Sequence, residues 1–217
     1  MAEHDPVLVE EAVDALAIAA HADAPRLFVD ATFGRGGHSA RILARLGPDD
    51  RLLAVDRDPE AVAAARARFD AEPRLVVVGA AFGALASLVA AHRDGRECAG
   101  ILFDLGVSSP QLDQPARGFS FQADGPLDMR MDPTRGESAA EWLAHATDNE
   151  IRHVIRELGE ERHAGRVARA IVAARSVEPI TRTAQLAGII ARTVRRGEGG
   201  KHPATRSFQA IRMHVND

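Results

Sequence analysis

RLFVDATFGRGGHS, residues 26–39, decides the architecture. Arg26–Asp30 is a short apolar run of strand length, a glycine-rich turn follows at Gly34, Gly36 and Gly37, and a helix-length segment opens at Gly37. Working outward, the same rhythm repeats. Arg51–Asp56 (RLLAVD), Leu75–Val78 (LVVV) and Gly100–Asp104 (GILFD) are further apolar runs, and Gly37–Leu46, Pro59–Phe69 and Phe82–His92 lie between them as helices. Nearly unbroken apolar strands of this length suit a parallel sheet covered on both faces. Asp58 is placed to cap the second helix, with Pro59 in its first turn. The alternation predicts an α/β fold, a Rossmann-like sheet with right-handed crossovers.

After Gly106 the rhythm stops. Residues 107–133 hold four prolines and no sustained period, which predicts a long loop of functional character. From Ser138 the pattern turns helical, with Ala139–His145, Asp148–Leu158, Ala164–Ser176 and Thr183–Arg195 as the expected helices. Glycines and prolines at 176–180 and 197–203 separate or end them. The second half therefore reads as a small helical domain.

Of 217 residues, 46% are hydrophobic and 27% charged, the composition of an ordinary globular protein. One cysteine, Cys98, excludes an intramolecular disulfide framework. The nine histidines show no ligand spacing, so no metal site is expected. The acidic opening residues do not form a signal peptide, and no segment reaches the ~18 apolar residues of a membrane span. The expectation is a cytoplasmic protein without a membrane partner. The net charge of −4 conceals an acidic first half and a basic end, which fits a nucleic-acid-binding face or a set of solvated helix surfaces.

The glycine turn offers close backbone approach and free amides to a ligand. Asp56 ends the second strand, where an acidic side chain can accept hydrogen bonds from both ribose hydroxyls of an adenosine cofactor. These features suit a nicotinamide cofactor as well as S-adenosylmethionine. A dinucleotide fingerprint beginning at Gly34 and Gly36 calls for glycine at position 39, however, and serine stands there. Phe82 reads either as a surface against the adenine or as a core side chain. At the end of the fourth strand, Asp104 points to where ligands of parallel sheets bind. It is the candidate acceptor for protons of an exocyclic amine, with Ser108, Ser109 and Pro110 as the loop that positions that amine.

Seven stretches carry a specific likeness: His4–Leu8, Asp30–Ser39, Asp56–Pro59, Phe103–Asp113, Arg117–Phe121, Asp124–Asp132 and His202–Arg212. Together they resemble the RsmH (MraW) family, bacterial methyltransferases acting on the N4 amine of a cytidine in 16S ribosomal RNA. The resemblance implies S-adenosylmethionine as cofactor, contacted by Gly36, Gly37, His38, Asp56, Phe82, Asp104 and Gln111. It implies a cofactor-binding Rossmann-like domain over 1–112 and an inserted helical, substrate-recognising domain over 113–212. It also implies an RNA partner within the small ribosomal subunit. Arg117, Phe119, Phe121, Arg130, Lys201, His202, Arg206 and Arg212 are the candidate RNA contacts, by stacking and by phosphate binding. Members of the family are longer, so the remainder of the first domain is expected to be missing here, leaving Gly100–Asp104 as an open sheet edge. A chain that binds cofactor or RNA without turnover, and a nicotinamide-dependent oxidoreductase, are the alternatives.

Overall fold

The computed structural model describes residues 8–21, 24–194, 200 and 202–216. His4 and Lys201 lie outside them. The chain forms two compact units, Met1–Gly106 and Val107–Asp217. Their boundary falls six residues before the one expected from sequence.

In the first unit the order of elements is α1 (Val9–Asp14), β1 (Arg26–Asp30), α2 (Gly37–Arg45), β2 (Arg51–Asp56), α3 (Pro59–Arg68), β3 (Leu75–Gly79), α4 (Leu85–His92) and β4 (Glu97–Leu102). The strands are parallel and lie in the order β3-β2-β1-β4. Successive crossovers thus step outward from β1 to β3 and then return to the other side of β1, which makes the β1–β4 junction the switch point of the sheet.

Alternate strand residues explain the two layers. Phe28 and Leu52 pack with Ile42, Leu43 and Leu46 on one face, while Leu27, Val29, Leu53 and Val55 pack with Leu85, Leu88 and Val89 on the other. All five β1 residues are buried. The cap on α3 is as expected: the Asp58 side chain accepts from the Glu60 amide at 3.0 Å. Two elements differ from the sequence reading. β4 starts at Glu97 and stops at Leu102, and its register against β1 shifts by one residue between Leu27 and Phe28. Gly100 comes opposite Phe28, and a Cβ there would sit 2.9 Å from Leu16 and 3.3 Å from the Phe28 ring. Phe82–Ala84 is a 3₁₀ turn ahead of α4.

The second unit comprises α5 (Ser109–Asp113), α6 (Ala139–His145), α7 (Asp148–Glu157), α8 (Ala164–Arg175), α9 (Thr183–Thr193) and α10 (Thr205–Asn216). Its core joins Trp142, Leu143, Ile151, Ile155, Val167, Ile171, Ile190 and Phe208. Reciprocal caps start two of these helices, Ser138 with Glu141 and Thr147 with Glu150. α10 was not anticipated; its apolar residues Phe208, Ile211 and Val215 recur at helical spacing directly after the Pro203 that marked a break.

The long stretch between α5 and α6 is irregular yet tightly packed, with Phe119, Leu127 and Met129 fully buried. The Asn216 side chain ties it to α10, accepting from the Met131 amide and donating to the Met129 carbonyl, each at 2.7 Å. Gly118 has φ +71°, and a Cβ on it would lie 2.2 Å from the Pro126 carbonyl oxygen. Gly136 has a similar φ of +65° with open space around it. Gly118→Ala should therefore add a backbone clash to the conformational penalty and cost ~3 kcal/mol or more. Gly136→Ala should cost only ~1 kcal/mol. Urea unfolding of the two variants checks the ranking; equal losses would contradict this packing.

Candidate functional site

The site is built at the carboxyl ends of the strands. β1 ends in Asp30, which is fully buried. One of its oxygens accepts from the Thr32 amide at 3.2 Å and the other from the Ser39 hydroxyl at 2.6 Å. Asp30 thereby ties the exit of β1 to the first turn of α2. Burial pushes its carboxyl above the usual range, against the opposing effect of the Ser39 and Thr32 hydrogen bonds.

Between those anchors runs the glycine turn. Gly36 has φ +75°, and a Cβ there would meet the Phe33 ring at 2.5 Å, so only glycine fits. Above Gly34 the space is open, its nearest neighbour being the Thr32 carbonyl oxygen at 3.9 Å. At the end of β2, Asp56 Oδ2 accepts from the Gly34 amide at 2.7 Å and Oδ1 from the Asp58 amide at 2.9 Å. Burial raises the Asp56 carboxyl too, partly offset by these amides. The Arg57 amide donates to it as well, and since a carboxylate has about four acceptor positions, Asp56 fixes the turn and still has room for a donor on a ligand.

The switch point brings β1 and the segment after β4 together. The Thr32 hydroxyl accepts from the Asp104 amide at 2.7 Å. The Asp104 carboxylate stands 3.8 Å from His38 Nδ1; the His38 side chain is 7% exposed and that of Asp104 60%. An accessible carboxylate is thus held by its backbone at the rim of the crevice, with a sheltered imidazole behind it. Phe82 is 42% exposed, which removes the core reading, and meets Phe103 edge to face at 5.9 Å. The fold therefore places Gly36, Gly37, His38, Asp56, Phe82 and Asp104 at one end of one sheet.

Ser108, Ser109, Pro110 and Gln111 belong to the second unit. The expected loop there is a short helix, α5, with Pro110 in its first turn, where its missing amide donor is tolerated. Gln111 is buried, and its Oε1 accepts from the Ser108 amide at 2.9 Å, so this side chain organises the serine segment.

One of the expected RNA contacts is corrected, and the fold gives the others among the described residues packing or hydrogen-bond partners. Phe119 is fully buried and has no free face for a base. Phe121 packs against Phe208 and the His202 ring, with centroids at 4.8 and 4.6 Å. Arg117 donates to the Met131 carbonyl at 2.9 Å, and Arg212, partly buried, donates to the Phe119 carbonyl at 2.8 Å. Arg130 holds Asp128 at 2.6 and 2.8 Å and the Gly136 carbonyl at 3.1 Å. These three arginines brace the irregular segment. Exposed Arg206 donates to the Glu160 carbonyl at 3.0 Å.

Sequence reasoning missed Thr32 and Ser39 as structural partners of the site. Thr32→Val should free the Asp104 amide and speed its hydrogen exchange, while Thr32→Ser keeps it protected; equal exchange in both variants would contradict the contact. The raised Asp30 carboxyl gives a second test. Its folded value exceeds its unfolded one, so its contribution is favourable below the unfolded value and fades as pH rises through the folded value. Asp30→Asn should consequently gain stability relative to the parent as pH rises from acid to neutral, measured by urea unfolding across that range.

Comparison with known proteins agrees with this geometry. The family model described as "MraW methylase family" matches residues 1–217. "Ribosomal RNA small subunit methyltransferase H" of Thioalkalivibrio sulfidiphilus is 56% identical over 214 residues, covering 99% of this chain and 67% of that protein. The proteins of the same description from Thiobacillus denitrificans and Nitrosococcus oceani are 59% and 52% identical, over 98% and 100% of this chain and 66% and 67% of theirs. The chain spans about two thirds of the length of these relatives. On the family match along all 217 residues and on these identities, the chain belongs to the MraW methylase family, a family of methyltransferases.

Proposed function

We propose that this chain binds S-adenosylmethionine at the glycine turn and directs methylation of the N4 amine of a cytidine in 16S ribosomal RNA, within the small ribosomal subunit and so in the cytoplasm. The observation that carries the reading is the meeting of Thr32, His38 and Asp104 at the β1–β4 switch point, beside a turn clamped by Asp56.

The residues present suit that cofactor. Open space above Gly34 admits a ligand to the backbone, the remaining acceptor capacity of Asp56 suits a ribose hydroxyl, and exposed Phe82 offers an aromatic face for adenine. When bound, S-adenosylmethionine supplies a methyl group on a positively charged sulfur that leaves as a neutral thioether. The protein's part is to make a poor nucleophile adequate. The cytosine amine has its lone pair delocalised into the ring, and acceptance of its protons by the Asp104 carboxylate returns electron density to the nitrogen. The Thr32 contact fixes the backbone of Asp104, which lets that carboxylate act from a set position. Within the second unit, Gln111 organises the Ser108–Pro110 segment, the further candidate for holding the base.

A second reading, binding without turnover, has one observation in its favour. β4 forms an edge of the sheet, and Ile101, Phe103 and Leu105 near it are 42%, 48% and 68% exposed.

Calorimetric titration and a methyl-transfer assay on 16S RNA test both. Asp56→Ala should weaken cofactor binding by about tenfold or more. Asp104→Ala should keep cofactor affinity within a few-fold and lower transfer by about 10²-fold or more. Nucleoside mass analysis should find N4-methylcytidine as product. Cofactor binding with no transfer by the parent chain would favour the second reading, and nicotinamide dinucleotide binding in its place would overturn both.

A further inference from the structure

Besides Arg117, Arg130 and Arg212, which brace the irregular segment, the helical unit carries exposed arginines on its helices. α7 turns Ile151, Val154 and Ile155 inward and carries Arg152 and Arg156, four residues apart, on one flank. Of its acids, Glu150 and Glu157 fall on the opposite flank at helical spacing, while Asp148 opens the helix one turn before Arg152 and makes no ion pair with it among the described residues. α8 buries Val167, Ala168 and Ile171 and carries Arg166 and Arg169 outward. The two helices pack against each other, and a Cβ on Gly165 would lie 3.5 Å from Arg152 Cδ and 3.6 Å from Arg169 Nη1.

Arg152 and Arg169 therefore converge over a residue that has no side chain. Among the described residues neither has a hydrogen bond or an ion pair, Arg156 makes only a 3.8 Å approach to Glu157, and Arg166 donates to His163 Nδ1 at 2.7 Å. Like charges drawn together with no carboxylate paired to either repel one another, and an anion relieves that repulsion. Guanidinium forks suit phosphate oxygens in paired hydrogen bonds. The flank carries no exposed aromatic side chain of the kind that anchors protein interfaces.

We infer that the groove between α7 and α8, bordered by Arg152, Arg156, Arg166 and Arg169, is a contact surface for the phosphate backbone of RNA. The inference rests on the RNA-substrate reading and adds to it a surface outside the motif residues.

The test uses the whole chain and a short, fluorophore-labelled single-stranded RNA, with binding followed by anisotropy between about 50 and 200 mM salt. R152Q/R169Q should weaken binding by about tenfold at the lower salt and flatten the log–log salt slope by about 1.4, two phosphate contacts at ~0.7 each. Its thermal midpoint should match the parent's, since both side chains are exposed. R152K/R169K should retain most of the slope. R135Q, which removes a charge from an exposed loop position, should leave affinity and slope unchanged. An unaltered slope in R152Q/R169Q, or a matching per-charge loss in R135Q, would overturn the proposal. So would an equal fractional loss of binding to phosphatidylserine vesicles or to polyglutamate, because the groove would then respond to negative charge of any kind. S-adenosylmethionine titrated into R152Q/R169Q should give the parent's heats. A parent chain that fails to bind that cofactor while showing the expected salt effect would count against the methyltransferase reading and support this surface.

Discussion

The hydrogen-bonded path from Asp30 through Thr32 to the Asp104 amide is the contact on which the rest of the site depends. A parallel sheet delivers its strand ends to one edge but leaves the following segments unrestrained. Here a buried carboxylate at the end of β1 holds the Thr32 amide, and the Thr32 hydroxyl holds the backbone 72 residues onward. The same carboxylate grips Ser39 in the first turn of α2. One residue thus sets the positions of the glycine turn, the helix start and the exposed Asp104 carboxylate. Burial of Asp30 makes its charge costly, and that cost is consistent with a role in organisation rather than in stability.

The second constraint is steric. Gly36 must pass against Phe33, and Gly100 must pass against Leu16 and Phe28. The first fixes the curvature of the turn, and the second sets the register that places Phe103 and Asp104 beyond β4. In the helical unit Gly118 takes the same part, letting the irregular segment fold closely on itself. Its arginines then cap carbonyls that no helix or strand satisfies.

Much of this was legible in the sequence because the signals are local. β1, β2 and α6 have the bounds that apolar runs and caps indicate, and the Asp58 cap is where its spacing places it. α10 was hidden by a neighbouring glycine and proline cluster that reads as an ending, although Phe208, Ile211 and Val215 carry a helical period. The Thr32–Asp104 contact is not visible in sequence at all, since it exists only once β4 lies beside β1. The bracing contacts of Arg117 and Arg212 are hidden for a related reason, since their acceptors, Met131 and Phe119, come near only through the fold. Conversely, Arg152 and Arg169 belong to no motif and are brought together by helix packing.

The central claim is that a sulfonium-bearing adenosine ligand sits at the carboxyl ends of the strands, between the Asp56 clamp and Asp104. Amide chemical-shift mapping of the labelled chain during titration with S-adenosylhomocysteine tests it most directly. The account expects the largest shifts at the glycine turn, at Asp56, around Phe82 and at Asp104. Shifts concentrated in the helical unit, or none at saturating ligand, would contradict it.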